Sequence, residues 1–142
     1  MKNLDELYRY ALTFHGRPYV WGGEGPVAYD CSGLVQAILR AGKVDPPGDQ
    51  TADLLYRHFL KEGKKCAPQL GALAFFGTAE RVVHIGWCVD QYLVLNAAGG
   101  SSHVNTIAMA EKINASVKVE PLSKRGNLVA IIMPRYQFDS AQ

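Results

Sequence analysis

Between Asp30 and Gly42 the chain carries a single apolar stripe bounded at both ends, and that stripe limits the folds open to it. Cys31, Leu34, Val35, Ile38 and Leu39 recur at helical spacing, so one face of an α-helix is set for burial. Asp30 stands where a side chain caps a first turn, and Gly42 stands where a helix stops. Upstream, Pro18 to Trp21 has the composition of a short strand. Gly22, Gly23, Gly25 and Pro26 break regular structure between strand and helix. The expected order is strand, glycine turn, then a helix with cysteine in its first turn. There the unpaired N–H groups and the helix dipole favour a thiolate, the form in which cysteine is a nucleophile. A small buried hydrophobe opening a core stripe fits the same position.

The 142 residues suffice for one domain over 1–142, with 134–142 as a tail. A hydrophobic content of 48% with 20% charged residues suits a globular protein, and a net charge of +2 argues against nucleic acid. No run is long enough to cross a membrane, so no membrane partner is expected. The first stretch, MKNLDELYRYALTF, carries acids and no continuous apolar block, unlike a signal peptide. Three cysteines without a C-x-x-C spacing suit neither a disulfide framework nor a zinc site. No metal or cofactor is expected.

Elsewhere the pattern is helices first and strands later. Asn3 and Glu6 resemble a capping box for a helix to about Phe14, with Leu4, Leu7, Tyr8, Ala11 and Leu12 on its apolar face. A second helix is expected over Ala52 to Lys61, capped by Thr51 or Asp49, with Leu54, Leu55, Phe59 and Leu60 inward. Lys61 to Lys65 reads as its charged end. Strands follow at 73–76, 82–89, 92–97, 117–122 and 128–133, with a short helix within 106–115. The order predicts an α+β fold, N-terminal helices packed on an antiparallel β-sheet.

A cysteine nucleophile needs a base, and His84 is the candidate. It sits within Val82-Val83-His84-Ile85-Gly86-Trp87, where an imidazole must be hydrogen-bonded to be tolerated. Asn96 lies an even number of positions away across a hairpin. A three-residue loop, Val89-Asp90-Gln91, pairs the two directly and puts both side chains on one face. A two-residue loop sends them to opposite faces. On one face, the amide oxygen fixes the imidazole tautomer and leaves the second ring nitrogen for Cys31. A satisfied core histidine and a strand-end asparagine are the alternatives. His103, the rival partner, lies past the Gly/Ser loop at 98–102 and is expected in solvent, as are His15 and His58.

Taken together, Pro18-Tyr19-Val20-Trp21-Gly22-Gly23, Asp30-Cys31-Ser32-Gly33-Leu34-Val35, Phe75-Phe76 and His84-Ile85-Gly86 resemble the NlpC-type (NlpC/p-sixty) cell-wall cysteine peptidases. Pro47-Gly48-Asp49-Gln50-Thr51 resembles that family's entry to its second helix. The resemblance runs from about Leu4 to Pro134. It implies a papain-like fold and a cysteine endopeptidase that cleaves peptidoglycan stem peptides, at the γ-D-glutamyl–diamino acid bond, through a thioester. By matching position, Cys31 is the nucleophile, His84 the base and Asn96 the orienting residue. Tyr19, Asp30 and Ser32 match positions that shape the pocket for the stem's amino end. Two departures stand out: asparagine replaces the histidine that many relatives have as third residue, and Gly71-Ala72 replaces the usual Gly-Asp. Competing expectations are an N-acetylmuramoyl-L-alanine amidase, an acyltransferase with the same pair, and a non-catalytic phage-tail or wall-binding module. The expected partner is a stem peptide or muropeptide. The protein is expected to be made in the cytoplasm and delivered to the wall by a phage tail or secretion machinery, or to act on recycled stem peptides.

Overall fold

Asn3, Asp30 and Thr51 each turn a side-chain oxygen onto the free N–H groups of the helix that follows. Those helices are α1 (Leu4–Leu12), α2 (Cys31–Ala41) and α3 (Ala52–Glu62) in the computed structural model, which describes residues 1–139. Helix α1 is shorter than expected: it ends at Leu12, and Thr13 to Gly16 are turns. In α3 the buried stripe is Ala52, Leu55, Tyr56 and Phe59. Leu54 and Leu60, expected inward, are 49% and 43% exposed. Their positions on the helical wheel lie off the arc that Ala52, Tyr56 and Phe59 define.

Lys61 to Lys65 is more than a helix end. Gly63–Lys65 forms an edge strand, β1, whose lysines suit an unpaired outer edge. The other strands are β2 (Leu73–Gly77), β3 (Val82–Cys88), β4 (Leu93–Ala98), β5 (Ser116–Pro121) and β6 (Leu128–Pro134), with helix α4 (Ile107–Ile113) between β4 and β5. The sheet order is β1-β6-β2-β3-β4-β5, and every pairing is antiparallel. Pro18 to Trp21 does not join the sheet as a strand. Pro18 and Tyr19 make single bridges, to Ser116 and Tyr29, because the glycines that follow turn the chain away.

Alternation along the strands divides the sheet's side chains between two faces. Leu73, Phe75, Ile85, Trp87 and Leu95 face Leu34, Ile38, Leu55 and Phe59 of the helices and make the main core. Ala72, Ala74, Phe76, Cys88, Val94 and Ile131 make a second apolar cluster on the opposite face, covered in part by Leu122. Leu122 begins a one-turn 3-10 helix, Leu122–Lys124, after β5.

Residues beyond Pro134, read as a tail, pack back on the fold as far as Asp139. The Tyr136 hydroxyl accepts from Trp87 Nε1 at 2.9 Å and donates to the Gly71 carbonyl at 2.6 Å. The Gln137 N–H donates to the Gly42 carbonyl at 2.9 Å. The last three residues of the expected tail, 140–142, lie outside the described residues.

Candidate active site

Helix α2 starts where it does because Asp30 holds both sides of the preceding turn. Its Oδ1 accepts from the Gly33 N–H at 2.7 Å and the Ser32 hydroxyl at 3.1 Å, and its Oδ2 accepts from the Gly22 N–H at 3.2 Å. Gly33 is obligatory, since a Cβ there would stand 2.0 Å from the Gly23 carbonyl oxygen. The glycine turn and the first helical turn therefore pack backbone to backbone. Cys31 is the first helical residue, and the backbone N–H groups of Ser32 and of Ile85 in β3 favour the charged form of its sulfur. Ile85 directly follows His84, and Cys31 and His84 line one cleft of about 870 Å³.

His84 is 6% exposed, and its Nε2 lies 2.7 Å from Asn96 Oδ1. Asn96, 1% exposed, donates through Nδ2 to the Lys118 carbonyl at 3.2 Å and to Glu120 Oε1 at 3.0 Å. Two acceptors on Nδ2 fix which way the amide points. Its oxygen must face the imidazole, so Nε2 carries the proton of the neutral ring and Nδ1 keeps a lone pair. Glu120 is itself 8% exposed and paired through its other oxygen with Lys124.

The hairpin that brings His84 to Asn96 differs from the expected one. Trp87 pairs with Leu95 and Cys88 with Val94, and the Val89 N–H donates to the Leu93 carbonyl. The loop is three residues long, as predicted, but it is Asp90-Gln91-Tyr92. Asp90 Oδ1 holds it by accepting from the N–H groups of Tyr92 and Leu93 at 2.7 and 2.8 Å. The register moves by two, so parity survives and the two side chains share a face. They meet diagonally instead of directly opposite, within reach of side chains this long.

The expectation that the helix start favours a thiolate is corrected. Burial, reinforced by the Asp30 charge, pushes the Cys31 thiol up to about 11, against the Ile85 and Ser32 N–H groups and Arg125. Burial, reinforced by Arg125, pushes His84 down to about 4, although the Asn96 bond and the Glu120 charge oppose it. Losing water costs a buried charge more than these partial charges return. Both shifts favour the uncharged forms, thiol and neutral imidazole.

Tyr19 is buried, its ring against Gly100, where a Cβ would stand 2.0 Å away. Burial, then the nearby Cys31 and Asp30, push its hydroxyl up to about 12, so it stays a proton donor. Asp30 and Ser32 line the same cleft, with Asp30 committed to its helix cap. His103 is exposed, as expected. Glu120 and Arg125 escaped sequence reasoning. An acid alternating with valines in Val117-Lys118-Val119-Glu120 was the signal for Glu120, but only the β4–β5 register makes it Asn96's neighbour.

Residues 16–122 match the NlpC/P60 family. The chain belongs to the NlpC/P60 family. Among curated relatives, the bifunctional muramidase/DL-endopeptidase CwlT of Bacillus subtilis is 34% identical over 98 residues, 66% of this chain and 29% of that protein. A probable endopeptidase p60 of Listeria grayi is 27% identical over 105 residues, 74% of this chain and 20% of that protein. This chain thus spans less than a third of either relative. Solved NlpC/P60 structures share the fold. The NlpC/p60 domain of the peptidoglycan hydrolase SagA has a TM-score of 0.67 at 20% identity, covering 92% of this chain and 97% of that one. The peptidoglycan hydrolase RipB of Mycobacterium tuberculosis has a TM-score of 0.68 at 21% identity, covering 95% and 65%. The NlpC/P60 architecture, papain-like and α+β, is the one described above.

Proposed function

We propose that this NlpC/P60 chain is a cysteine endopeptidase that cuts within the stem peptides of peptidoglycan, at the γ-D-glutamyl–diamino acid bond. The observation that carries the reading is the Asn96 amide. Held by Glu120 and the Lys118 carbonyl, it leaves His84 Nδ1 as the free base in the cleft that contains Cys31. Relatives named endopeptidases and peptidoglycan hydrolases support the substrate class.

The chemistry starts from the uncharged pair that burial favours. As the Cys31 sulfur attacks the scissile carbonyl carbon, its proton passes to His84 Nδ1. The Asn96 oxygen steadies the imidazolium so formed. The carbonyl oxygen gains negative charge and meets the Cys31 N–H, which a first-turn residue leaves unpaired, and the Tyr19 hydroxyl. The C–N bond then breaks, the amine leaves with the proton from His84, and a thioester remains. His84 next takes a proton from water, the hydroxide attacks the thioester, and the acid is released as Cys31 recovers its proton. Donors at the oxyanion contribute about 3–4 kcal/mol each where one has been removed in other enzymes.

Digestion of purified peptidoglycan with product masses tests this. Cleavage within stems is expected, lost in Cys31→Ala and in His84→Ala with folding kept. Release of intact stems from glycan would make the enzyme an amidase. Stem cleavage surviving in Cys31→Ala would remove Cys31 as nucleophile.

A further inference from the structure

Arg125 follows the one-turn helix after β5, and its position is fixed by its neighbours. Leu122 donates its N–H to the Tyr92 carbonyl at 2.7 Å and packs on the second apolar cluster, while Lys124 pairs with Glu120. Arg125 therefore projects from a pinned turn into the wall of the cleft. Its guanidinium carbon lies 5.9 Å from the centre of the Phe76 ring, and the His84 ring lies 5.6 Å from the same centre. Cation and imidazole thus rest on one phenyl group.

Arg125 is half-buried, and its guanidinium pairs with no carboxylate among the described residues. The acid nearest in sequence, Glu120, is occupied by Asn96 and Lys124. The cleft's other guanidinium, Arg81, is exposed. Stacking on Phe76 offsets part of the cost of withdrawing a cation from water, and a carboxylate partner offsets more. Arginine's planar fork suits a carboxylate better than any other side chain does.

We propose that Arg125 binds a substrate carboxylate on the leaving-amine side of the scissile bond, selecting a diamino acid with a free side-chain carboxyl over one that ends in an amine alone. The inference rests on the peptidase reading above for the identity of the substrate. The side is set by His84: the leaving amine takes its proton from the imidazole, so the residue carrying that amine lies against His84 and hence beside Arg125. The charge reaches the reacting pair too, since Arg125 helps to lower both Cys31 and His84.

Two measurements on the full chain test it, with folding of each variant checked by thermal melting. The first needs no peptidase activity. Cys31 is alkylated with anionic iodoacetate and with neutral iodoacetamide, and Arg125→Gln is expected to lower the ratio of the two rates about tenfold, with Arg125→Lys in between. An unchanged ratio means that the guanidinium does not serve the cleft, and the proposal falls. The second uses L-Ala-γ-D-Glu peptides ending in meso-diaminopimelate, in its side-chain amide, or in lysine, and the meso-diaminopimelate peptide with its D-glutamate α-carboxyl amidated. The intact chain is expected to favour free meso-diaminopimelate, and Arg125→Gln to raise KM for it about tenfold or more while leaving the side-chain amide and lysine peptides unchanged. A selectivity that instead follows amidation of the D-glutamate α-carboxyl puts the anchor on the acyl side and overturns the assignment. Absence of all hydrolysis would condemn the peptidase reading, while the alkylation ratio would still judge Arg125.

Discussion

Asn96 can only orient His84 if its amide cannot turn over, and Glu120 is what stops it. With Oε1 of a buried carboxylate at 3.0 Å from Nδ2, a flipped amide would set two oxygens face to face. Glu120 is therefore a positioning residue, and its charge also favours the imidazolium that forms during attack. Glu120→Ala should lower kcat about tenfold with little change in KM, since a misaligned base costs heavily in rate. Glu120→Gln can still accept from Nδ2 and should recover much of that loss. In both variants the acid limb of kcat/KM should move to lower pH, because removing a negative charge makes His84 harder to protonate. A limb that stays in place would leave Glu120 a purely structural residue.

At the scale of elements, helix α2 and the β3–β4 hairpin are the two supports of the site, and each rests on one aspartate. Asp90 sets the hairpin loop and Asp30 sets the helix start. Asp30→Ala should cost about 1–2 kcal/mol in urea unfolding, the usual weight of an N-cap, while Asp30→Asn keeps one accepting oxygen for the Gly33 N–H, gives up the bond from the Gly22 N–H, and should cost less than Asp30→Ala. The two variants should part again at Cys31. The Asp30 charge holds the thiol up, so Asp30→Asn should alkylate faster with iodoacetamide at a fixed pH near 8. Unchanged alkylation would mean that the Asp30 charge does not reach the sulfur.

For the molecule as a whole, pH couples the site to stability. His84 titrates near 4 in the folded chain and near 6.5 unfolded. Between those values the unfolded chain binds more protons, so stability is complete above about 6.5 and drains away as pH falls towards 4. A shift of this size is on the order of 3 kcal/mol. Urea unfolding at pH 7 and at pH 4.5 should show the loss, and His84→Gln should show less of it. Activity should follow the same group with the same sign, holding down to about pH 4 and failing below as the base is protonated. A bell-shaped profile with its alkaline limb near neutrality would instead indicate a resting thiolate–imidazolium pair. The packed segment after Pro134 belongs to this scale too, since Tyr136 ties Trp87 in the sheet to Gly71 ahead of β2.

Local rules suffice for what the sequence determined by itself. Caps at Asn3, Asp30 and Thr51, the stripe from Cys31 to Leu39, and an even spacing between His84 and Asn96 depend on neighbours a few residues apart or on parity alone. These placed the cysteine on its helix and the histidine beside the amide. Tertiary structure decided what depends on distant segments meeting. The hairpin's true register, Glu120 behind Asn96, Arg125 beside Phe76, and Leu54 turned outward all follow from how the sheet is ordered and how helices lie upon it. The protonation of Cys31 and His84 belongs to the same class, because desolvation is set by everything that surrounds a group, and no local spacing records it.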